Sequence, residues 1–180
     1  PVTAVAFAIG TLAMAGIPPL TGFWAKDEVL VSASEHQNFL VYGLLALSVF
    51  ITGLYITRLF ILTYTGQPRD HEAYQHAHEA PPVMTVPNVI LAVLAVLVGL
   101  AAFDQVGEAL GFPGGIGKFV FLEKAEAFKF HADVGAISII AALAGVAGAF
   151  FFWWGEARPA KAVAAQVPRV YALLKNKYYM

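Results

Sequence analysis

Lys26, Asp27 and Glu28 are three adjacent ionisable side chains that close an apolar run reaching back to Pro1 with no other charge in it. An amine beside carboxyls can take up and release protons, because desolvation disfavours the charged amine while a nearby carboxylate favours it. Ionisable groups at membrane depth mark ion or proton pathways. Pro18 and Pro19 interrupt the same run. Neither offers an N–H to the carbonyls of Met14 and Ala15, and each ring clashes with the preceding turn. Each also pushes the residue before it out of the helical region. In lipid an unpaired carbonyl costs several kcal/mol, so a broken helix persists there only inside protein or beside water. Gly16, Pro18, Pro19 and Gly22 are therefore read as a helix break, and Lys26, Asp27 and Glu28 as candidates for a proton path, in a transporter-type core.

Two placements are open to Lys26. An unbroken helix from residue 1 would carry it past about 30 Å, outside the hydrocarbon core, as an interfacial charge. The break shortens that helix, and apolar Val29, Leu30 and Val31 follow the charges, which puts Lys26 inside. For Asp27 and Glu28 the alternative to a proton path is a solvated helix end.

The elements that must position these residues are helices in a bilayer. The chain is 59% hydrophobic and only 13% charged, where ordinary soluble domains are about 25% charged. Four charge-free stretches, residues 1–25, 38–57, 80–103 and 134–155, each meet the need for about 20 residues to span. The expected fold is an all-α membrane protein with four transmembrane helices, the first broken at Pro18-Pro19, plus amphipathic interfacial helices. Its segments are residues 1–64 (broken helix and second span), 65–82 (polar connector), 83–103 (third span), 104–131 (interfacial connection), 132–155 (fourth span) and 156–180 (the start of an amphipathic lateral helix). No length remains for a separate soluble catalytic domain. Absence of cysteine removes disulfides, thiolate zinc sites and cysteine-ligated iron–sulfur clusters. A net charge of −1 excludes a strong nucleic-acid footprint. Without an initiator methionine or a basic signal-peptide region at residue 1, and with helix pattern still running at Met180, the chain reads as the C-terminal part of something longer.

The remaining motifs carry less chemistry. His71, His76 and His78 with Glu72 and Glu79 lie in the connector without a helix-borne zinc spacing, so no metal is assigned. Gly111, Gly114, Gly115 and Gly117 surround Pro113, but no strand precedes them and no Lys-Ser or Lys-Thr pair follows, so they are a turn and not a phosphate loop. Arg58 near the end of the second span can snorkel to headgroups. Phe119, Leu122, Ala125 and Phe128 among Lys118, Lys124 and Lys129 form an interfacial amphipathic pattern. In the fourth span Ala141, Gly145 and Ala149 make a small-residue stripe for close helix approach, and residues 150–154 an aromatic belt. In the tail Val163, Val167, Tyr171 and Leu174 share helical spacing.

The break and its charges, Ala15-Gly16-Ile17-Pro18-Pro19 and Gly22-Phe23-Trp24-Ala25-Lys26-Asp27-Glu28-Val29-Leu30, resemble the discontinuous twelfth helix of the distal antiporter-like (L-type) membrane subunits of respiratory complex I, NADH–quinone oxidoreductase. Further matches follow in order: Arg58-Leu59-Phe60 with Thr63-Tyr64-Thr65-Gly66, then His78-Glu79-Ala80-Pro81-Pro82-Val83-Met84, then Leu174-Lys175-Asn176-Lys177-Tyr178-Tyr179 at the start of that family's lateral helix. The resemblance implies helices twelve to fifteen of such a subunit and a proton-translocating role in which Lys26 ends a hydrophilic path toward the non-cytoplasmic side. NADH, flavin, iron–sulfur clusters and quinone would be bound by other subunits, with no cofactor in this chain. Partners would be the other membrane-arm subunits and the lipid bilayer, in a bacterial inner membrane. That family's central lysine, histidines and lysine–glutamate pair lie on earlier helices that these residues do not include. Multi-subunit cation/proton antiporters share the fold and a lysine here, typically followed directly by glutamate, and are the alternative. A structural membrane subunit without its own ion path is the third reading.

Loop charges orient the spans. Arg58, Arg69, Arg158, Lys161, Arg169, Lys175 and Lys177 fall on one side, and Lys26, Lys118, Lys124 and Lys129 on the other. The basic excess places the first side, with the C-terminal tail, in the cytoplasm. In the full-length protein, Glu108→Cys is expected to react with an impermeant thiol reagent added outside sealed cells and Glu156→Cys to be protected. Labelling in the opposite pattern reverses the orientation.

Overall fold

The computed structural model describes residues 2–35, 39–66, 68, 71–102, 111, 131–155 and 158–176, and all its regular elements are helices. In chain order these are α1 (Val2–Ala15), α2 (Thr21–Glu35), α3 (Phe39–Tyr64), α4 (His71–Gln75), α5 (Pro82–Leu100), α6 (Ala132–Trp153), α7 (Arg158–Gln166) and α8 (Pro168–Lys175). Three of them, α3, α5 and α6, are long and apolar enough to cross a membrane, while α1 is a shorter apolar helix. The first apolar run is thus two half-length helices, and α2 continues to Glu35, ten residues past the charge-free stretch. The expected amphipathic pattern at 119–128 lies outside the described residues, as do Gly114, Gly115 and Gly117.

Proline chemistry sets several boundaries. Pro82 opens α5, where a missing N–H loses nothing. Pro168 likewise opens α8, so the tail is two helices parted at Val167 instead of one continuous helix.

The core sits where α3 and α6 cross. A Cβ on Gly145 would lie 2.3 Å from the carbonyl oxygen of Phe50, and one on Gly53 would lie 2.9 Å from that of Ala142. Only glycine permits backbones to approach so closely. The buried face of α6 runs through Ser138, Ala142, Gly145 and Ala149. The sequence stripe is corrected by one position: Ala141 is only partly buried, beside the cluster of Leu30, Val49, Val134 and Ala142. Helix α2 enters the bundle through that cluster, packing on α3, α5 and α6. At the opposite end Phe7 stacks near Phe60, and the Arg58 guanidinium lies 5.0 Å from the Trp153 ring centre, joining the ends of α3 and α6. Outward faces are largely apolar: Leu40, Leu44 and Leu47 on α3, Leu91 on α5, and Ile140 and Phe151 on α6 are exposed. A surface of that kind fits lipid and not water.

Replacing Gly145 with valine forces the α3–α6 crossing apart and is expected to destabilise the subunit by about 1–3 kcal/mol. Gly43→Ala, whose Cβ would meet nothing within 4 Å, serves as the control. Thermal unfolding of the detergent-solubilised protein reads both, and equal midpoints would contradict the crossing.

Candidate functional site

The site is built on the end of α1. The Ile17 N–H donates to the Leu12 carbonyl and the Gly16 N–H to the Ala13 carbonyl, each at 3.1 Å, with Gly16 at φ 84°. This is a Schellman closure, in which glycine supplies the left-handed residue and two orphan carbonyls are satisfied. The next carbonyl, that of Met14, would be bonded four residues on by Pro18, which has no N–H. The Lys26 ammonium takes that place: Nζ donates to the Met14 oxygen at 2.5 Å. A cation there also meets the negative end of the α1 dipole. Among the described residues the Lys26 ammonium is thus held by a carbonyl.

Three glycines make that reach possible. A Cβ on Gly16 would sit 3.1 Å from the Lys26 Cδ, over which the stem passes. On Gly22 it would fall 1.8 Å from the Ala13 oxygen, so the start of α2 lies directly on the last turn of α1. On Gly99 of α5 it would fall 2.3 Å from the Pro19 oxygen. The connection between α1 and α2, with its cis Pro18–Pro19 bond, carries Leu20 N–H to Ile17 oxygen and Phe23 N–H to Leu20 oxygen, both at 3.1 Å.

Asp27 is in a different setting. It is 1% exposed and neither carboxyl oxygen has a hydrogen-bond partner among the described residues. With Phe23 and Leu30 it forms the buried stripe of α2. Helix α2 packs there on α3 and α6, and Leu30, one turn after Asp27, shares a buried cluster with Val49 and Val134. Glu28 is exposed and Lys26 half-buried. The structure therefore gathers Gly16, Pro18, Pro19, Gly22 and Lys26 at one locus, and buries Asp27 on the face of α2 that carries Phe23 and Leu30. Sequence reasoning did not set Asp27 apart from Glu28, because which face of α2 is buried depends on the helices packed against it.

A cavity of about 260 Å³ between α1, α3 and α5 ends at Met14 and includes Thr3, Thr11 and Asn88 in its lining. The Thr11 hydroxyl is buried without a partner. Its size and polar groups suit water. At the far end of α1, the Thr3 backbone N–H and hydroxyl both donate to Glu79 Oε1. That hydroxyl holds the Glu79 carboxyl below its usual range. Thr3 and Glu79 so tie the start of α1 to the approach of α5. His71, His76 and His78 are exposed.

Residues 1–52 match the family described as NADH:quinone oxidoreductase/Mrp antiporter, transmembrane. Over 99% of its length the chain is 32% identical to NAD(P)H-quinone oxidoreductase chain 5 of Synechocystis sp., covering 32% of that relative. It is 32% identical to the F(420)H(2) dehydrogenase subunit L of Methanosarcina mazei, again over 99% of this chain and 29% of the relative. Against NADH-quinone oxidoreductase subunit L of Rickettsia bellii it is 34% identical over 57% of this chain and 16% of the relative. The chain spans about a third of the length of the first two relatives. These matches bear out the resemblance to an antiporter-like membrane subunit, and with the apolar helices they make the chain a multi-pass membrane protein.

The packing at the break predicts that Gly22→Ala, which drives a methyl group into the Ala13 carbonyl, destabilises by about 1–3 kcal/mol. Gly16→Ala adds left-handed strain of about 1–2 kcal/mol. Gly10→Ala, with nothing within 4 Å, should be neutral. A thermal shift in the purified full-length subunit or complex distinguishes them, and no shift for Gly22→Ala would refute the contact.

Proposed function

We propose that the chain is part of a proton-translocating membrane-arm subunit of an NADH–quinone oxidoreductase of the complex I type, and that Lys26 and Asp27 carry its proton path, with Glu28 on the exit side. The observation that carries this reading is the Lys26 ammonium on the Met14 carbonyl that Pro18 leaves without a backbone donor. It joins an ionisable group to a helix break in a region similar to the named subunits. The α1–α2 pair acts as the first of four spans, and the C-terminal tail faces the cytoplasm of a bacterial inner membrane. Redox groups and quinone belong to other subunits, and this chain supplies buried charge, a broken helix and water access.

In this reading Lys26 stores a proton while its ammonium is held by Met14. A shift of α1 or α5 at the glycine contacts loosens that hold and changes the relative stability of charged and neutral lysine. The proton then moves on to the Asp27 side of α2. A second reading, a subunit of a multi-subunit cation/proton antiporter without a redox partner, draws on the family description, which names both. The relatives named above are oxidoreductase or dehydrogenase subunits, which favours the first.

Lys26→Ala in the full-length subunit tests the proposal. The assembled complex should lose NADH–quinone turnover and the pH gradient together. Electron transfer from NADH to a water-soluble acceptor, which bypasses the membrane arm, reports that the redox centres are intact. Lys26→Arg should also impair pumping, since a guanidinium stays protonated. An assembled Lys26→Ala complex that pumps at the wild-type rate would overturn the relay.

A further inference from the structure

The last turns of α3 and α6 mark where the apolar interior of the bilayer ends. Arg58, exposed on α3, lies 5.0 Å from the Trp153 ring centre, and Phe151 and Trp154 at the same end of α6 are exposed. An arginine near the end of an apolar span carries its guanidinium to the headgroups, and tryptophan rings gather at the same level. Gly155, at φ 71°, turns the chain in the left-handed conformation, and α7 starts at Arg158 and packs on α6. So short a connection reaches about 10 Å at most, which keeps the start of α7 at headgroup level. Only Val167 separates α7 from α8. Neither helix crosses the bilayer, since 9 and 8 residues fall far short of the ~20 that a span needs.

The two tail helices are chemically two-sided. Successive helical residues are turned by about 100°, which sets Val163 with Ala160 and Ala164 on one side of α7 and Lys161 away from it. On α8 the same count groups Tyr171, Leu173 and Leu174, with Arg169 and Lys175 at the two borders of the group. The apolar members Val163, Tyr171, Leu173 and Leu174 are exposed, and so are the three cations. Helix α7 packs on α6 and α8 on α7, and neither contact covers these side chains. The charge is of one sign: residues 157–180 carry Arg158, Lys161, Arg169, Lys175 and Lys177 and no Asp or Glu. The counter-charge therefore comes from outside the tail. At the level marked by Arg58 and Trp153, lipid phosphates supply it next to an apolar layer, which is the setting that a basic amphipathic helix fits.

We propose that α7 and α8 form a binding surface for anionic phospholipid, their apolar side sunk among the upper acyl chains and Lys161, Arg169 and Lys175 at the headgroups. The stems of the three cations run along the border of the apolar side while their charged ends stay with the phosphates. A zwitterionic lipid offers the same apolar layer without net charge, so the cations select the anionic headgroup. Each basic side chain near an anionic surface supplies a bias of about fivefold. The inference uses only the membrane placement of the chain and stands apart from the proton path of Lys26 and Asp27.

The test uses the complete complex, with a fluorescent amino acid in place of Val163, in nanodiscs of phosphatidylcholine and phosphatidylglycerol in equal parts. Bromines near the headgroup end of the acyl chains are carried by one lipid or by the other, and their quenching reports which lipid lies against α7. Phosphatidylglycerol is expected to be favoured over phosphatidylcholine at least ~5-fold, the bias of a single basic side chain. The preference should fall as salt rises, because exposed charges are screened. Lys161→Gln, Arg169→Gln and Lys175→Gln together should remove most of it. Lys161→Arg, Arg169→Lys and Lys175→Arg together keep the charges and should retain it. Equal quenching by the two lipids in the otherwise unaltered complex overturns the proposal, as does a preference that survives the glutamine substitutions. Quenching by neither lipid also overturns it, and assigns the apolar side to a protein partner.

Discussion

The carbonyl of Met14 has no backbone donor available to it, because the residue four positions on is Pro18, which carries no N–H. Much of the local structure answers that single deficit. Gly16 turns the chain into the left-handed region so that the two carbonyls before Met14 are closed by backbone N–H groups. Lacking a side chain, it also lets the Lys26 stem pass within contact distance. Gly22 seats α2 on α1, near enough for a lysine one turn further on to reach back across the gap, and Gly99 presses α5 against the connection from another side. A charged side chain is thereby made part of the helix cap. Its protonation and the geometry of the break are one problem, since changing either changes the partner of the Met14 oxygen.

The buried stripe of α2 shows a second tension. Phe23, Asp27 and Leu30 follow helical spacing and all face the bundle. Phe23 and Leu30 are what that face calls for, at 2% and 1% exposed. Packing alone would place a leucine at position 27, because an unpartnered carboxyl forgoes the stabilisation of apolar burial and adds a desolvation penalty. The surrounding residues over-determine the fold enough to tolerate it. The crossing of α3 and α6 through Gly53 and Gly145 fixes those helices independently of α2.

The break and its lysine were legible because proline and charge act locally. No neighbouring element is needed to know that Pro18 cannot bond to Met14. The apolar runs were legible for the same reason, as length and charge alone define them. Legibility failed where tertiary placement decides. The stripe on α6 was set at intervals of four through Ala141, whereas the buried face steps from Ser138 to Ala142, Gly145 and Ala149. That sequence of steps averages close to 3.6 residues and so stays on one side, while strict fours drift around the helix. Ser138 was hidden by being polar, although a serine packs between helices as readily as alanine. Asp27 could not be told from Glu28, since which of the two is buried depends on the helices packed on α2. The interruption at Val167 was within reach: the argument that ends α1 at Pro18 also divides the tail at Pro168.

Lys26 and Asp27 are consecutive, and consecutive side chains on a helix point about 100° apart. That small rotation separates two environments. The lysine looks back along α1 to a carbonyl at the end of a cavity holding Thr3, Thr11 and Asn88. The aspartate lies on the buried face with Phe23 and Leu30, beside the cluster that joins α2 to α3 and α6. One turn of helix thus holds two ionisable groups in different surroundings. Backbone-to-backbone contacts at Gly22 and Gly99 have no flexible side chain to absorb a displacement, so a movement of α5 or α1 is felt at the Met14 oxygen at once. A displacement at either contact therefore has a short mechanical path to the lysine.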